Sequence, residues 1–93
     1  MSLKEELRKT VGEIISSPPK LGIVLSVEED PKKFSEIQRR LKLSSGVLSY
    51  HLLRTQAAGL VKKTKDEYKI TPMGSKVARV LKQILETSEE LGE

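Results

Sequence analysis

Apolar residues recur along this chain at two spacings, and the switch between them lays out the elements. Leu3, Leu7, Val11, Ile14 and Ile15 fall at the three-and-four spacing of one helix face. Ser2-Leu3-Lys4-Glu5 opens that helix as a capping box, which satisfies amides left unpaired at a helix start. Gly12 weakens the helix by up to ~1 kcal/mol relative to alanine, so tertiary contact must hold it. Ser16-Ser17-Pro18-Pro19 breaks the chain, and Pro19 suits the first turn of a second helix, about residues 20–27. Leu21, Ile23, Val24, Leu25 and Val27 make that helix nearly all apolar, which predicts a central, buried position. Glu28-Glu29-Asp30-Pro31 stops it, and residues 32–34 can form a very short strand against a later hairpin.

Two short helices follow, about residues 35–41 and 45–58, the second closed by Gly59. Ser35 with Gln38 reads as a capping box for the first. Phe34, Ile37, Leu41 and Leu43 give it an apolar stripe; Leu48, Leu52 and Thr55 give the second a narrower one. The intervening LKLSSG is too short for a structured loop, so the helices must meet steeply, as a helix-turn-helix. Alternation then replaces helical spacing. Residues 60–63 and 67–71 read as two strands joined at Lys65-Asp66, with Tyr68 and Ile70 sharing the inward face. Thr71-Pro72 is a strong helix start, and Met73, Val77, Val80, Leu81, Ile84 and Leu85 line one face of a last helix. The acidic tail, residues 86–93, is expected to fray. The fold class is mainly α with a small β-hairpin wing. It is a single domain over residues 1–93, with the helix-turn-helix at about 35–58, the wing at about 60–71 and the C-terminal helix at about 72–87.

Composition sharpens this in two places. There are no cysteines, which removes disulfides, thiolate metal sites and a thiol nucleophile. No run approaches the ~20 apolar residues of a membrane span, and MSLKEELRK lacks the order of a signal peptide, so a cytoplasmic location is expected. The net charge of +4 is unevenly spread. From Lys32 to Lys69 ten Lys and Arg face three acids, a local +7, while the flanking segments carry −2 and −1. Charged helix faces are often merely solvated, but cations gathered on a helix-turn-helix and the hairpin after it suit a polyanion.

The run LSSGVLSYHLLRTQAAGLV, continuing through residues 62–69 to ITPMG, resembles the winged helix-turn-helix DNA-binding domains of ArsR-like and MarR-like regulators. The matching signals are Ser44 at the start of the second helix, S-x-H-L at Ser49–Leu52, A-G-L-V at Ala58–Val61 and I-T-P-x-G at Ile70–Gly74. Their order and spacing carry more weight than any one of them, and the resemblance covers about residues 18–80. It departs at Thr55, where such families tend to carry a core leucine. The resemblance implies a regulator of transcription that binds double-stranded DNA with full or partial sequence specificity. Repression is favoured over activation, because no extra region is available to recruit polymerase.

With Leu48, Leu52 and Thr55 inward, Ser45, Gly46, Ser49, Tyr50 and Leu53 face outward at ~100° per residue. Ser44 is the expected N-cap, and the amides of Ser44, Ser45 and Gly46 can hold a phosphate. Gly46 permits close approach. Ser49 and Tyr50 are the candidates for base contact, Tyr50 also through a thymine methyl, and Arg54 for phosphate. Lys33, Arg39, Lys62, Lys63, Lys65 and Lys69 are the candidate backbone contacts. The helix lacks an outward Asn and has no Arg placed for bidentate contact to a base, so shape and backbone effects should dominate discrimination.

The first and last helices present more apolar surface than one small domain can bury, which predicts a two-fold homodimer through Leu3, Leu7, Val11, Val77, Leu81, Ile84 and Leu85. The alternative is that both helices only cover their own core. His51, the single histidine, has no second His, Cys or carboxylate cluster beside it; it reads as a partly buried, hydrogen-bonded side chain rather than a metal ligand. Tyr68 reads as wing core. Neither a phosphate-binding glycine loop nor a nucleophile elbow occurs, and the Glu28-Glu29-Asp30 carboxylates point different ways, so no enzyme, metal or cofactor is expected. A second function class stays open: a winged-helix adaptor that binds protein through its apolar helix faces and ignores DNA.

Overall fold

The helix α2 (Pro18–Glu29) has neighbours on every side. In the computed structural model, which describes residues 2–91, it packs against α1 (Leu3–Ile15), α3 (Phe34–Leu41), α4 (Ser45–Ala57), α5 (Pro72–Leu91) and the strand β2 (Glu67–Ile70). Its start is set by Ser17, whose hydroxyl accepts from the Lys20 amide, and by two prolines in the first turn, where a missing N–H is harmless. Ile23, Val24 and Val27 are fully buried and join Val11 and Ile14 of α1, Ile37 of α3, Leu48 and Leu52 of α4, and Val77, Ala78 and Leu81 of α5 in one core. A central helix is what its nearly continuous apolar run predicts.

The strand β1 (Val61–Thr64) pairs antiparallel with β2, Val61 opposite Ile70 and Lys62 opposite Lys69. Tyr68 is buried and Ile70 partly so, the inward face expected from alternation. The anticipated third strand is reduced to one bridge: Lys32 and Tyr68 exchange both backbone hydrogen bonds, at 3.0 and 2.7 Å. Thr71 caps α5 as expected, its hydroxyl oxygen accepting from the Gly74 amide at 2.9 Å. The same hydroxyl lies 2.6 Å from the Gly59 carbonyl, to which it donates. Gly74 is required there, because a Cβ would come within 2.1 Å of the Leu60 carbonyl oxygen.

Two boundaries and one surface assignment differ from the sequence reading. The helix α3 begins at Phe34 with Lys33 as its N-cap, because Glu36, rather than Gln38, reaches back to accept the cap amide at 2.8 Å. Residues 86–91 continue α5 instead of fraying, while Gly92 and Glu93 lie outside the described residues. Val77 and Leu81, assigned to a dimer interface, are fully buried in the chain's own core, where α5 lies against α1 and α2. Val11 is also almost wholly covered by that core. Among the described residues, no helix is long and apolar enough to cross a membrane.

Candidate nucleic-acid interface

Two short helices and a left-handed residue make the turn that aims α4. Lys42 closes α3 at φ 56°, its amide donating to the Gln38 carbonyl. A non-glycine residue there is disfavoured by ~1–2 kcal/mol, so the packing on either side must impose it. Gln38 then reaches across the turn, its amide donating to Ser45 Oγ at 3.0 Å. The start of α4 is thus fixed to α3 by a side chain. At the far end, Gly59 at φ 78° allows its own amide to bond Gln56 and that of Leu60 to bond Thr55, the paired closure of a Schellman motif.

Thr55 sits where a core leucine is usual in the family it resembles, and its burial is complete. Its hydroxyl lies 3.0 Å from the Leu52 carbonyl and 3.1 Å from that of His51, so the polar atom is satisfied within the helix and the methyl faces the core. Leu48, Leu52 and Thr55 therefore form the inward face as read from spacing.

On the outer side, Ser44, Ser45, Gly46, Ser49, Tyr50, Leu53 and Arg54 are all exposed. Ser44 is the N-cap, its oxygen accepting from the Val47 amide at 3.2 Å. Among the described residues, no acceptor meets the amides of Ser45 or Gly46, so the positive end of α4 is open. A Cβ on Gly46 would meet nothing within 4 Å, and its φ is not positive, so nothing inside the fold demands a glycine at this position. Arg54 folds back with its guanidinium 5.6 Å from the centre of the Tyr50 ring. Val47, 43% exposed, was not anticipated, although one step of ~100° from inward Leu48 turns it toward solvent.

His51 lies edge-on to Tyr50 with ring centres 5.1 Å apart. Its Nδ1 is buried without a hydrogen-bond partner, which corrects the expectation of a bonded histidine. Desolvation first, then the cations of Lys20 and Arg54, hold its pKa below the ordinary 6.5. Among the described residues, no three His, Asp or Glu side chains gather where a metal could be held.

The basic residues divide into two sets. Lys32 is buried, donating to the Ser26 carbonyl at 2.8 Å and to Asp30 at 2.6 Å, so it is a strut rather than part of a surface. Arg40 pairs with Glu29 at 2.5 Å, and Lys33 lies 3.9 Å from Asp66. Arg39, Lys42, Lys62, Lys63, Lys65 and Lys69 are exposed and, among the described residues, have no acid within ion-pair distance. Lys62 and Lys69 stand directly opposite each other across the hairpin, an arrangement that like charge makes unfavourable without an anion. Lys63 is drawn over the Tyr68 ring at 5.8 Å.

A family model described as a domain of unknown function, DUF7347, matches residues 6–81. No curated protein matches the chain. Among solved structures, HlyU from Vibrio cholerae N16961 is similar with a TM-score of 0.76 at 20% identity, covering 94% of this chain and 97% of that one. The transcriptional regulator BldR from Sulfolobus solfataricus gives 0.73 at 21% identity, over 96% and 71%. ZitR from Lactococcus lactis, a mutant in apo form, gives 0.69 at 21%, over 99% and 82%. At such identities the likeness is one of fold, and the fold is the winged helix-turn-helix.

Proposed function

The chain belongs to the DUF7347 family, a domain of unknown function, and we propose that it binds double-stranded DNA as a dimeric regulator of transcription, acting as a repressor that occupies promoter DNA. The observation that carries this reading is the surface of α4. Its positive end is unoccupied by the fold, its outer side is bare, and Gly46 leaves room for a close approach. The unpaired Lys62 and Lys69 on the wing supply the charge that a phosphate backbone neutralises. BldR, a protein of the same fold, is a transcriptional regulator.

Dimerisation would use what the core leaves open between α1 and α5. Leu3 is 66% and Ile84 36% exposed, and Leu7, Val11, Val80 and Ile84 line a cavity of about 260 Å³ edged by Lys4 and Arg8. Leu85 is half-buried, and Val77 and Leu81, wholly inside the core, take no part. In a two-fold dimer the two α4 helices would enter successive major grooves ~34 Å apart. An adaptor that binds another protein through the same α1–α5 groove is the second reading, and the bare Leu3 is what favours it.

Duplex affinity measured across salt concentrations tests the proposal. The wild-type protein should lose affinity steeply with salt, and Lys62→Ala with Lys69→Ala should lower the log–log slope by about 2. Absent or salt-independent duplex binding, with a monomer in sedimentation, leaves the adaptor reading instead.

A further inference from the structure

Among the described residues, six large apolar side chains are exposed, and three of them, Val47, Tyr50 and Leu53, belong to α4. At ~100° per residue, Gly46, Tyr50, Leu53 and Ala57 fall within a narrow band opposite the buried Leu48–Leu52–Thr55 face, with Val47 and Arg54 along one edge. The outermost line of this helix is therefore apolar or glycine throughout. Its polar neighbours are largely committed: Ser44 accepts from the Val47 amide, Ser45 accepts from Gln38, and Arg54 lies on the Tyr50 ring. In the first two turns the hydroxyls of Ser49 and Tyr50 have no partner within the described residues.

We propose that α4 reads the C5 methyl groups of thymine with Tyr50 and Leu53, and with Val47 at the edge, in place of bidentate hydrogen bonds. The reading rests on duplex binding as proposed above. Open amides, Arg54 and the wing lysines bring this line against a phosphate-walled groove, and the apolar feature a major groove offers there is the thymine methyl. A 67% exposed leucine gains nothing from water or from a guanine edge, but a methyl buried against it gains about fourfold in affinity, and two methyls about fifteenfold. Gly46 and Ala57, at either end of the line, keep the helix close enough for that contact. Arg54 lies over the Tyr50 ring and His51 meets that ring edge-to-face, and both contacts restrain it.

The test is a short duplex enriched from a random library by the protein itself, then synthesised twice, with thymine and with uracil. The exchange deletes the methyl and keeps every hydrogen-bonding group. The wild-type protein should bind the thymine duplex about fourfold to fifteenfold more tightly. Leu53→Ser with Tyr50→Ser, at positions exposed enough to leave the fold intact, should erase that ratio while keeping the salt slope. Equal affinity of wild type for the two duplexes overturns methyl reading and leaves duplex binding standing. A ratio that survives the double substitution also overturns it, because the methyl would then act through duplex shape. Failure to enrich any duplex overturns both this inference and the function it rests on.

Discussion

The helices α2 and α4 are similar in length and both carry apolar residues around most of their circumference, yet they have opposite fates. Five elements surround α2, and its Ile23, Val24 and Val27 lose all contact with solvent. The helix α4 meets α2 and β1 on one side, so Leu48 and Leu52 are covered while Val47, Tyr50 and Leu53 are bare. Apolar composition therefore decides burial only together with the number of neighbours. A helix that is apolar all round and has neighbours on one side is offering the other to something outside the chain.

The largest expected contrast is between Ile23→Ala and Leu53→Ala. The first leaves a cavity at the centre and should destabilise by about 2–5 kcal/mol in denaturant unfolding. The second should stay within about 0.5 kcal/mol of wild type and appear instead in duplex affinity. Equal losses of stability would mean that the two helices do not differ as described. Next come their glycines. A Cβ on Gly22 would lie 2.8 Å from the end of the Leu41 side chain, so Gly22→Ala must displace that half-buried leucine and should lose the gain of up to ~1 kcal/mol that alanine brings to an open helical position. Gly46→Ala meets open space and should leave stability in thermal unfolding unchanged or raise it by up to ~1 kcal/mol, while weakening duplex binding. An unaffected duplex affinity would remove Gly46 from the interface.

The smallest effect lies on the seam between the two helices. His51, with its pKa held down by desolvation and by Lys20 and Arg54, resists protonation in the folded chain. Its contribution to stability is therefore complete above pH 6.5 and is lost as pH falls from there through the lowered folded value. His51→Gln should flatten that decline in unfolding midpoints measured from pH 7 to pH 5. An unchanged pH dependence would place the titration elsewhere.

Most of this arrangement could be read from the chain. The inward faces of α2 and α4, the Thr71–Pro72 start of α5 and the wing strands all follow from local periodicity and capping, which a single segment displays. What escaped depends on distant neighbours. Lys32 counts as a surface cation in sequence, but the bridge to Tyr68 turns its ammonium under the Ser26 carbonyl. Val77 and Leu81 looked surplus because one helix does not reveal how much of its face α1 and α2 cover. Ser35 and Gln38 match a capping pattern that Lys33 and Glu36 form two residues earlier. Among the site residues, Val47 was legible from its offset to Leu48, whereas the engagement of Ser45 by Gln38 depends on the angle between α3 and α4.

The hairpin is tethered at three places: through the Thr71 hydroxyl at its base, through the Leu60 carbonyl that accepts the Thr71 amide, and through the Lys32–Tyr68 exchange halfway up. Only the tip, residues 64–67, projects beyond these moorings. Any freezing of backbone motion on seating against a partner is thus confined to that tip, a small entropic toll for a long reach. The rest of the arm arrives already stiff, held at its base by the same hydroxyl that caps the first turn of α5.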